Sequence, residues 1–455
     1  MQRERLGSRL GFILLSAGSA IGIGNVWKFP YMVGQNGGAL FVLLYLLFLV
    51  ILGVPVMTME FSLGRASQKS PAKIYNELEP RGAKWHTHSN FMYVGNYILM
   101  MFYTVVSGWM VKYFIDTTKG DFKGVSEEYV GVHYDNMLQE PTELIIYTFL
   151  VIIVCFAICS FSLQNGLERV TKYMMLLLLG LMVVLAINSA TMPGGAEGLK
   201  FYLVPDVNKV KEIGVFNVVV AAMNQSFFTL SLGLGAMAIF GSYIDKKRSL
   251  LGESVNVALL DTLVAVCSGF IIFPACSTYN LNVDAGPSLI FKTLPNIFRN
   301  LPAGSFWGAV FFLFLSFAAL TTMLATFENI ISCTMDKFGF SRRKSAVINC
   351  LLMLVLSLPC ILGFNVLKDV NPFGAGSTIM DLEDFAVSNV LLPLGSLIFV
   401  LFCTSKKGWG WKNFVAEANE GKGIKIKNWM RIYITYVLPV IIVALFLIGI
   451  YNFFK

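Results

Sequence analysis

Apolar runs of about 20 residues recur along the chain and restrict its possible folds more than any other feature. A run of that length crosses the hydrocarbon core of a bilayer as one helix. Only 14% of the 455 residues are charged, whereas a soluble protein carries about a quarter. The chain is therefore predicted to be an all-α polytopic membrane protein. We predict eleven transmembrane helices, spans 1 to 11, at residues 10–35, 38–64, 90–115, 143–161, 167–189, 214–243, 253–277, 304–335, 345–363, 377–404 and 430–453.

Basic residues lie in alternate loops, and their placement predicts the topology. Lys246, Lys247 and Arg248, for example, lie between spans 6 and 7. Loops enriched in Lys and Arg face the cytoplasm. The N-terminus is therefore predicted to be cytoplasmic and, after eleven spans, the C-terminus outside. Because the basic residues set topology, the net charge of +8 does not indicate a nucleic-acid partner.

Glycines interrupt span 1, where Gly18, Gly22 and Gly24 precede the polar Asn25. A broken helix at the bilayer midplane frees carbonyls that can hold a cation and N–H groups that can hold a carboxylate. A second interrupted stretch, 225–235, lies in span 6. Two such spans in corresponding halves of a chain indicate a secondary transporter. The alternative is close helix packing through small residues.

The two interruptions divide the chain into repeats. We predict a 5+5 inverted repeat, residues 10–189 and 214–404, each opening with a broken helix, spans 1 and 6. The remaining segments are an N-terminal gate segment, an outer loop, a cytoplasmic loop and a peripheral helix, at residues 1–9, 190–213, 405–429 and 430–455.

Two outer loops are predicted to contain structure. Loop 116–142 is predicted to hold a hairpin or a short helix. Loop 284–303 has helical periodicity and is predicted to form a helix-turn-helix lid broken at Pro295, with an ordinary amphipathic connector as the alternative.

Polar residues inside the spans indicate ion binding. Asp261 in span 7 is the strongest candidate, because a buried carboxylate without a partner costs several kcal/mol and should face a cation or carry a proton. Thr229 in span 6 and Thr321 and Thr322 in span 8 add the oxygen ligands that an alkali cation needs. Hydroxyls bonded back to their own helix are the alternative for the threonine pair. Glu60 in span 2 is predicted to order nearby broken backbone rather than to bind an ion.

Other functional classes fit less well. A channel needs a continuous polar pore, whereas these residues cluster at one depth. The sequence has no nucleophile–base pair, nucleotide loop or metal motif of an enzyme. A proton-coupled carrier stays open, because Asp261 could carry the proton.

Four motifs together resemble the neurotransmitter:sodium symporter family, whose members share the LeuT fold. The motifs are Asn25-Val26-Trp27-Lys28-Phe29-Pro30, Asn36-Gly37-Gly38-Ala39, Glu60-Phe61-Ser62-Leu63-Gly64-Arg65 and Phe228-Thr229-Leu230-Ser231-Leu232-Gly233. The resemblance covers the whole chain, whose length is similar to that of short bacterial members for tyrosine and other hydrophobic amino acids.

The resemblance implies sodium-coupled symport of a hydrophobic or aromatic amino acid in the bacterial inner membrane. Tyrosine, tryptophan or phenylalanine is the expected substrate, carried with two Na⁺ by alternating access. The protein is expected to be a monomer or a weak homo-oligomer. The alternative is a proton-coupled carrier of the same fold for another small amine or amino acid.

The resemblance also implies site residues. The first sodium site would comprise Ala20, Asn25, Thr229 and Asp261. The second would comprise Gly18, Ile21, Ala318, Thr321 and Thr322. The substrate would contact Ala20, Gly22, Ile23, Gly24, Leu99, Tyr103, Phe228, Thr229, Ser231, Leu234, Thr322 and Thr326. The gates would be Lys28 with Asp384 outside, and Arg3 with Asp336, aided by Tyr243, inside.

The residue types at two positions indicate which substrate and ions are transported. Gly22 stands where monoamine carriers of the family have Asp, which leaves room for a substrate carboxylate. Asp261 stands where chloride-dependent members have Asn, and its fixed charge is expected to replace chloride.

Three departures from the family concern the gates. Lys28 replaces the usual Arg and cannot form a bidentate pair. Leu6 replaces an aromatic residue near Arg3. In span 5, Leu176 comes after Gly166 in the region where bacterial relatives often have a proline.

Overall fold

The computed structural model describes residues 4–279 and 287–454, and these residues contain helices and no β-strand. Within them, nine helices are long and apolar enough to cross a membrane. They correspond to the predicted spans 2–5 and 7–11 and comprise Ala39–Ser67, Thr87–Lys119, Pro141–Ser160, Gln164–Ala190, Leu250–Thr278, Gly304–Phe338, Arg342–Leu362, Ile379–Thr404 and Met430–Tyr451. The prediction of an all-α polytopic fold is confirmed.

Span 1 consists of two helices, Arg9–Ala20 and Gly24–Gln35, that meet at an angle of 58°. Gly22 lies in the break between them. A Cβ atom there would approach the Tyr103 hydroxyl to 2.5 Å and the Thr322 Oγ1 atom to 2.8 Å. Glycine therefore allows spans 3 and 8 to approach the broken backbone closely.

Span 6 is also broken. Its helices Val215–Thr229 and Ala236–Gly241 are separated by a non-helical segment, residues 230–235. In that segment Gly233 has a φ of 109° and Gly235 a φ of 79°. Both values lie in the left-handed region that favours glycine. With the two broken spans added to the nine intact ones, the structure is consistent with the predicted count of eleven.

Several shorter helices lie outside the spans. They are Ile74–Leu78, Glu127–Gln139, Gly195–Leu203, Val207–Ile213, Leu289–Thr293, Leu294–Asn300 and Trp411–Ala418. Helix Glu127–Gln139 is the short helix predicted in loop 116–142. In loop 284–303, by contrast, residues 287–300 form one continuous helical run. Pro295 does not break it, because its missing N–H falls where the π-helical turn Leu289–Thr293 passes into the α-helix Leu294–Asn300. Residues 284–286 lie outside the described residues.

Six π-helical turns interrupt the helices of the described residues. They comprise Gly24–Lys28, Leu49–Gly53, Gln164–Glu168, Leu289–Thr293, Ala386–Leu391 and Tyr433–Val437. Five of the six lie inside spans, in spans 1, 2, 5, 10 and 11. Such turns recur at functional sites in helical proteins.

Span 8 lies at the centre of the bundle and packs along span 3, and 78% of its 18-residue apolar stretch is buried. Span 11 lies at the periphery, with 28% buried. We call the end that carries the 6–7 and 10–11 loops the inner end, after its predicted orientation, and the opposite end the outer end.

Candidate functional site

A cavity of about 320 Å³ lies between spans 1, 3, 6, 8 and 10 and extends toward the outer end. Its lining includes most of the residues predicted to contact substrate. They are Ala20, Gly22, Ile23, Gly24, Leu99, Tyr103, Phe228, Thr229, Ser231 and Thr322. Residues far apart in the chain therefore converge as the sequence predicts.

Two residues predicted to contact the substrate, Leu234 and Thr326, are not part of the cavity lining. Leu234 is buried in an apolar cluster with Val387, Leu391 and Leu392, against which Leu99, Phe102 and Phe228 pack. The Thr326 hydroxyl donates to the Thr322 carbonyl at 3.0 Å, one turn behind the lining. Contact of either side chain with the substrate stays a prediction.

The break in span 1 brings main-chain N–H groups to this cavity. The Ile23 N–H donates to the Tyr103 hydroxyl at 3.3 Å. The Gly22 N–H donates to Oδ1 of Asn25 at 3.1 Å. Backbone N–H groups at the start of a helix favour an anion, so this face of the cavity suits a carboxylate.

Asp261 lies at the centre of an oxygen-rich cluster beside the same break. Asn25 Nδ2 lies 2.8 Å from its Oδ1, and the Thr229 hydroxyl lies 3.0 Å from its Oδ2. All three side chains are buried, and Asp261 is fully so. One carboxylate among neutral amide and hydroxyl oxygens fits a small cation of single charge. Ala20, the fourth predicted ligand, lines the adjoining cavity.

A second cluster joins spans 1 and 8. The Thr322 hydroxyl lies 3.2 Å from the Gly18 carbonyl, 3.1 Å from that of Ile21 and 3.3 Å from that of Ala318. The Thr321 hydroxyl lies 3.0 Å from the Ala318 carbonyl. All five predicted residues thus converge, and their oxygens are all neutral. In the described part of the chain, no three His, Cys, Asp or Glu side chains form a transition-metal type of cluster.

The outer gate residues line the mouth of the cavity without forming an ion pair. Lys28 Nζ lies 3.5 Å from the centroid of the Phe228 ring. Asp384 Oδ1 instead accepts the Ser388 hydroxyl at 2.7 Å. The structure therefore brings both predicted residues to the outer end but not into contact with each other.

The inner end is closed by a buried network. Glu328 is fully buried and accepts two N–H groups of Arg342, at 2.7 and 2.9 Å. The Tyr243 hydroxyl donates to the same carboxylate at 2.5 Å. Of the other predicted gate residues, Asp336 accepts the Ser70 N–H at 2.7 Å, and Arg3 lies outside the described residues.

Sequence reasoning missed Arg342 and Glu168. Arg342 belongs to the basic 8–9 loop and was assigned to topology alone. Glu168 accepts the Gly7 N–H at 2.7 Å and the Ser8 hydroxyl at 2.9 Å, next to the first helix. The only signal was the need of that helix for acceptors at its N-terminus. Glu60, by contrast, accepts the Gly233 N–H at 2.6 Å in the span 6 break, where the sequence placed it.

A sequence profile of the sodium:neurotransmitter symporter family matches residues 3–123 and 125–455. The chain belongs to the sodium:neurotransmitter symporter family. It is a sodium-dependent multi-pass membrane transporter, and this family of symporters is not a class of enzymes.

Relatives within this family support the assignment. The chain is 33% identical over 450 residues to the uncharacterized sodium-dependent transporter YhdH of Bacillus subtilis, covering 98% of each chain. It is 25% identical over 507 residues to the sodium-dependent serotonin transporter of Drosophila melanogaster, covering 99% of this chain and 77% of that one. A crystal structure of MhsT in complex with L-phenylalanine matches with a TM-score of 0.87 and 35% identity, over 98% of this chain and 100% of that chain. This neighbour of the symporter family confirms the LeuT fold.

Proposed function

We propose that this transporter couples entry of two sodium ions to uptake of a hydrophobic or aromatic amino acid, without chloride. Tyrosine, tryptophan and phenylalanine are the expected substrates. The observation that carries the proposal is the position of the Asp261 cluster directly beside the N–H groups of the span 1 break. A cation and a carboxylate held side by side would neutralise each other within one buried site.

The composition of the cavity supports an amino-acid substrate. The carboxylate would lie against the Gly22–Gly24 backbone and the Tyr103 hydroxyl, since Gly22 leaves space there. The apolar part would lie among Leu99, Phe102 and Phe228. A volume of about 320 Å³ is within the range of small-molecule sites. The complex of MhsT with L-phenylalanine provides the comparison that favours an aromatic side chain.

The two oxygen clusters suggest how transport is ordered. A sodium ion held by Asn25, Thr229 and Asp261 would tie span 1 to spans 6 and 7. A second ion held near Thr321 and Thr322 would tie span 1 to span 8. Span 1 would then move at the inner end only after these ties are released. Asp261 would supply the negative charge inside the membrane that chloride supplies in other members.

The driving force is sufficient for accumulation. Moving one charge through 100 mV releases roughly 2.3 kcal/mol, so two sodium ions provide about 4.6 kcal/mol from voltage. A tenfold sodium gradient adds about 1.4 kcal/mol for each ion.

Uptake of labelled tyrosine into proteoliposomes under an inward sodium gradient tests the proposal. Potassium and choline serve as cation controls, and a chloride-free buffer tests chloride. We expect sodium-dependent uptake that tryptophan, phenylalanine or leucine inhibits and that persists without chloride. Asp261→Asn should reduce sodium-dependent uptake more than 100-fold. Asp369→Asn, the same change in an exposed loop, should leave this uptake unchanged.

Other outcomes discriminate the alternatives. Uptake that follows a proton gradient and ignores sodium would identify a proton-coupled carrier of the same fold. Loss of uptake in chloride-free buffer would contradict the role proposed for Asp261.

A further inference from the structure

The main-chain carbonyl of Leu234 accepts hydrogen bonds from two side-chain amides. Asn96 Nδ2 in span 3 lies 3.0 Å from it, and Asn329 Nδ2 in span 8 lies 3.2 Å from it. The two amides also contact each other, with Asn329 Nδ2 at 3.2 Å from Asn96 Oδ1. We call this arrangement the asparagine clamp.

The clamp satisfies a carbonyl that the break in span 6 leaves without a helical partner. Leu234 belongs to the non-helical segment, residues 230–235. A buried carbonyl needs a hydrogen-bond partner. One donor would be enough for that, yet two spans each supply an amide at fully or nearly fully buried positions. Asparagine is costly inside a bilayer, so the second donor indicates a need for position rather than for satisfaction alone.

The Leu234 side chain lies directly behind the cavity wall. It belongs to a buried apolar cluster with Val387, Leu391 and Leu392, and Leu99 and Phe228 of the cavity lining pack against this cluster. On its other side it presses on Gly95, where a Cβ atom would come within 2.6 Å of the Leu234 Cδ2 atom. The Leu234 side chain is therefore held between the backbone of span 3 at Gly95 and the cluster against which Leu99 and Phe228 pack.

We propose that Asn96 and Asn329 are positioning residues that set the depth of the substrate compartment by fixing Leu234. Neither residue lines the cavity or belongs to the two oxygen clusters. Their effect passes through the Leu234 backbone to its side chain and then to the apolar cluster against which Leu99 and Phe228 pack. The clamp thereby makes the transporter select among amino acids by the size of the side chain that reaches the wall. This inference rests on the proposed function, because it assigns a determinant of size to the same cavity.

The test measures KM and maximal rate for phenylalanine, tryptophan, leucine and alanine in proteoliposomes. The variants are Asn96→Leu and Asn329→Leu, which keep the branched shape and the number of heavy atoms and remove one donor each. We expect KM for phenylalanine and tryptophan to rise about five- to tenfold, the effect of one lost hydrogen bond. KM for alanine and all maximal rates should change less than twofold. Because both amides share one acceptor, the double variant should depart from the product of the two single effects.

Asn349→Leu is the matched control. This asparagine is also buried, but its amide donates to the Thr334 hydroxyl at 2.9 Å in a network without Leu234. We expect the ratio of KM values for alanine and phenylalanine to stay at the wild-type value in this variant. A shift as large as in the clamp variants would assign the effect to general loosening and overturn the proposal.

Gly95→Ala tests the same residue through the Leu234 side chain instead of its carbonyl. It provides the decisive measurement if an asparagine variant does not fold. The added methyl group should displace Leu234 toward the wall and raise KM for tryptophan more than for alanine. Unchanged KM ratios in all these variants, with normal wild-type uptake, would overturn the clamp and leave the proposed function intact. Absence of sodium-driven uptake of any amino acid by the wild type would overturn both.

Discussion

The two ends of the bundle are held by different kinds of interaction. At the inner end, Arg342 and Glu328 form a buried bidentate ion pair that Tyr243 completes. At the outer end, Lys28 lies over the Phe228 ring and forms no ion pair with Asp384. A buried charge pair is strongly directional and costly to break, whereas a cation over an aromatic ring tolerates shifts.

The difference between the two ends indicates from which end the cavity is accessible in this structure. The candidate cavity extends between Lys28 and Asp384 toward the outer end. Toward the inner end, by contrast, the fully buried Glu328 network lies below it. Alternating access in this chain would thus require the breaking of charged hydrogen bonds at one end and the making of them at the other. Three predictions test this contrast.

Arg342→Met should have the largest effect, because it leaves Glu328 buried without its cation. Breaking such a pair costs about 3–5 kcal/mol. We expect a clearly lower melting temperature in detergent, measured by intrinsic tryptophan fluorescence. The double variant with Glu328→Gln should recover most of the loss. Lys344→Met, an exposed change in the same helix, is the control, and an equal loss there would show that Arg342 does not hold the inner end.

Glu168→Gln should have an intermediate effect on the same end. The carboxylate accepts the Gly7 and Ser8 N–H groups at 2.7 and 3.1 Å, and an amide can replace only part of that acceptance. Loss of one such bond costs about 1–3 kcal/mol. We expect faster trypsin cleavage after Arg5 or Arg9 than in the wild type. Glu197→Gln, in an outer-loop helix, should leave the cleavage rate unchanged, and equal rates in the Glu168 variant would refute its role in holding the N-terminal segment.

Lys28→Arg should have the smallest effect and should make the two ends more alike. The planar guanidinium of arginine can form two parallel hydrogen bonds with the Asp384 carboxylate, whereas the ammonium group of lysine cannot. We expect bound labelled phenylalanine to leave the outer end roughly two- to fivefold more slowly, a change of less than 1 kcal/mol. The dissociation rate after dilution into unlabelled substrate measures this. A faster rate would indicate that Lys28 does not act in outer closure.

Much of the site could be predicted because its signals are local. The glycines of span 1 and the carboxylate of Asp261 are conspicuous in apolar sequence, since each is costly there without a function. Spacing inside one helix likewise placed Thr321 and Thr322 together. Their convergence with Gly18 and Ile21 of span 1 required only the family fold.

The remainder depended on contacts between distant segments. Arg342 looked like one more basic loop residue, and nothing in its neighbourhood indicated Glu328 as its partner. Asn96 and Asn329 lie in separate apolar helices, and only the packing of spans 3 and 8 brings them to one carbonyl. Nothing in the sequence indicated that Leu234 packs with Val387, Leu391 and Leu392 of span 10.

The π-helical turns have a consequence for how this chain should be aligned with its relatives and edited. Each turn holds one residue more than an α-helical turn, which rotates every later side chain in the span by about 100°. A relative that lacks the turn would need a one-residue gap inside a transmembrane helix, where gaps are normally penalised. Deleting one residue from Gln164–Glu168 would accordingly not shorten a loop. It would convert the turn into an α-helical one and leave the later side chains of span 5 on their present faces, whereas a deletion further along the span would turn every later side chain toward a different stripe.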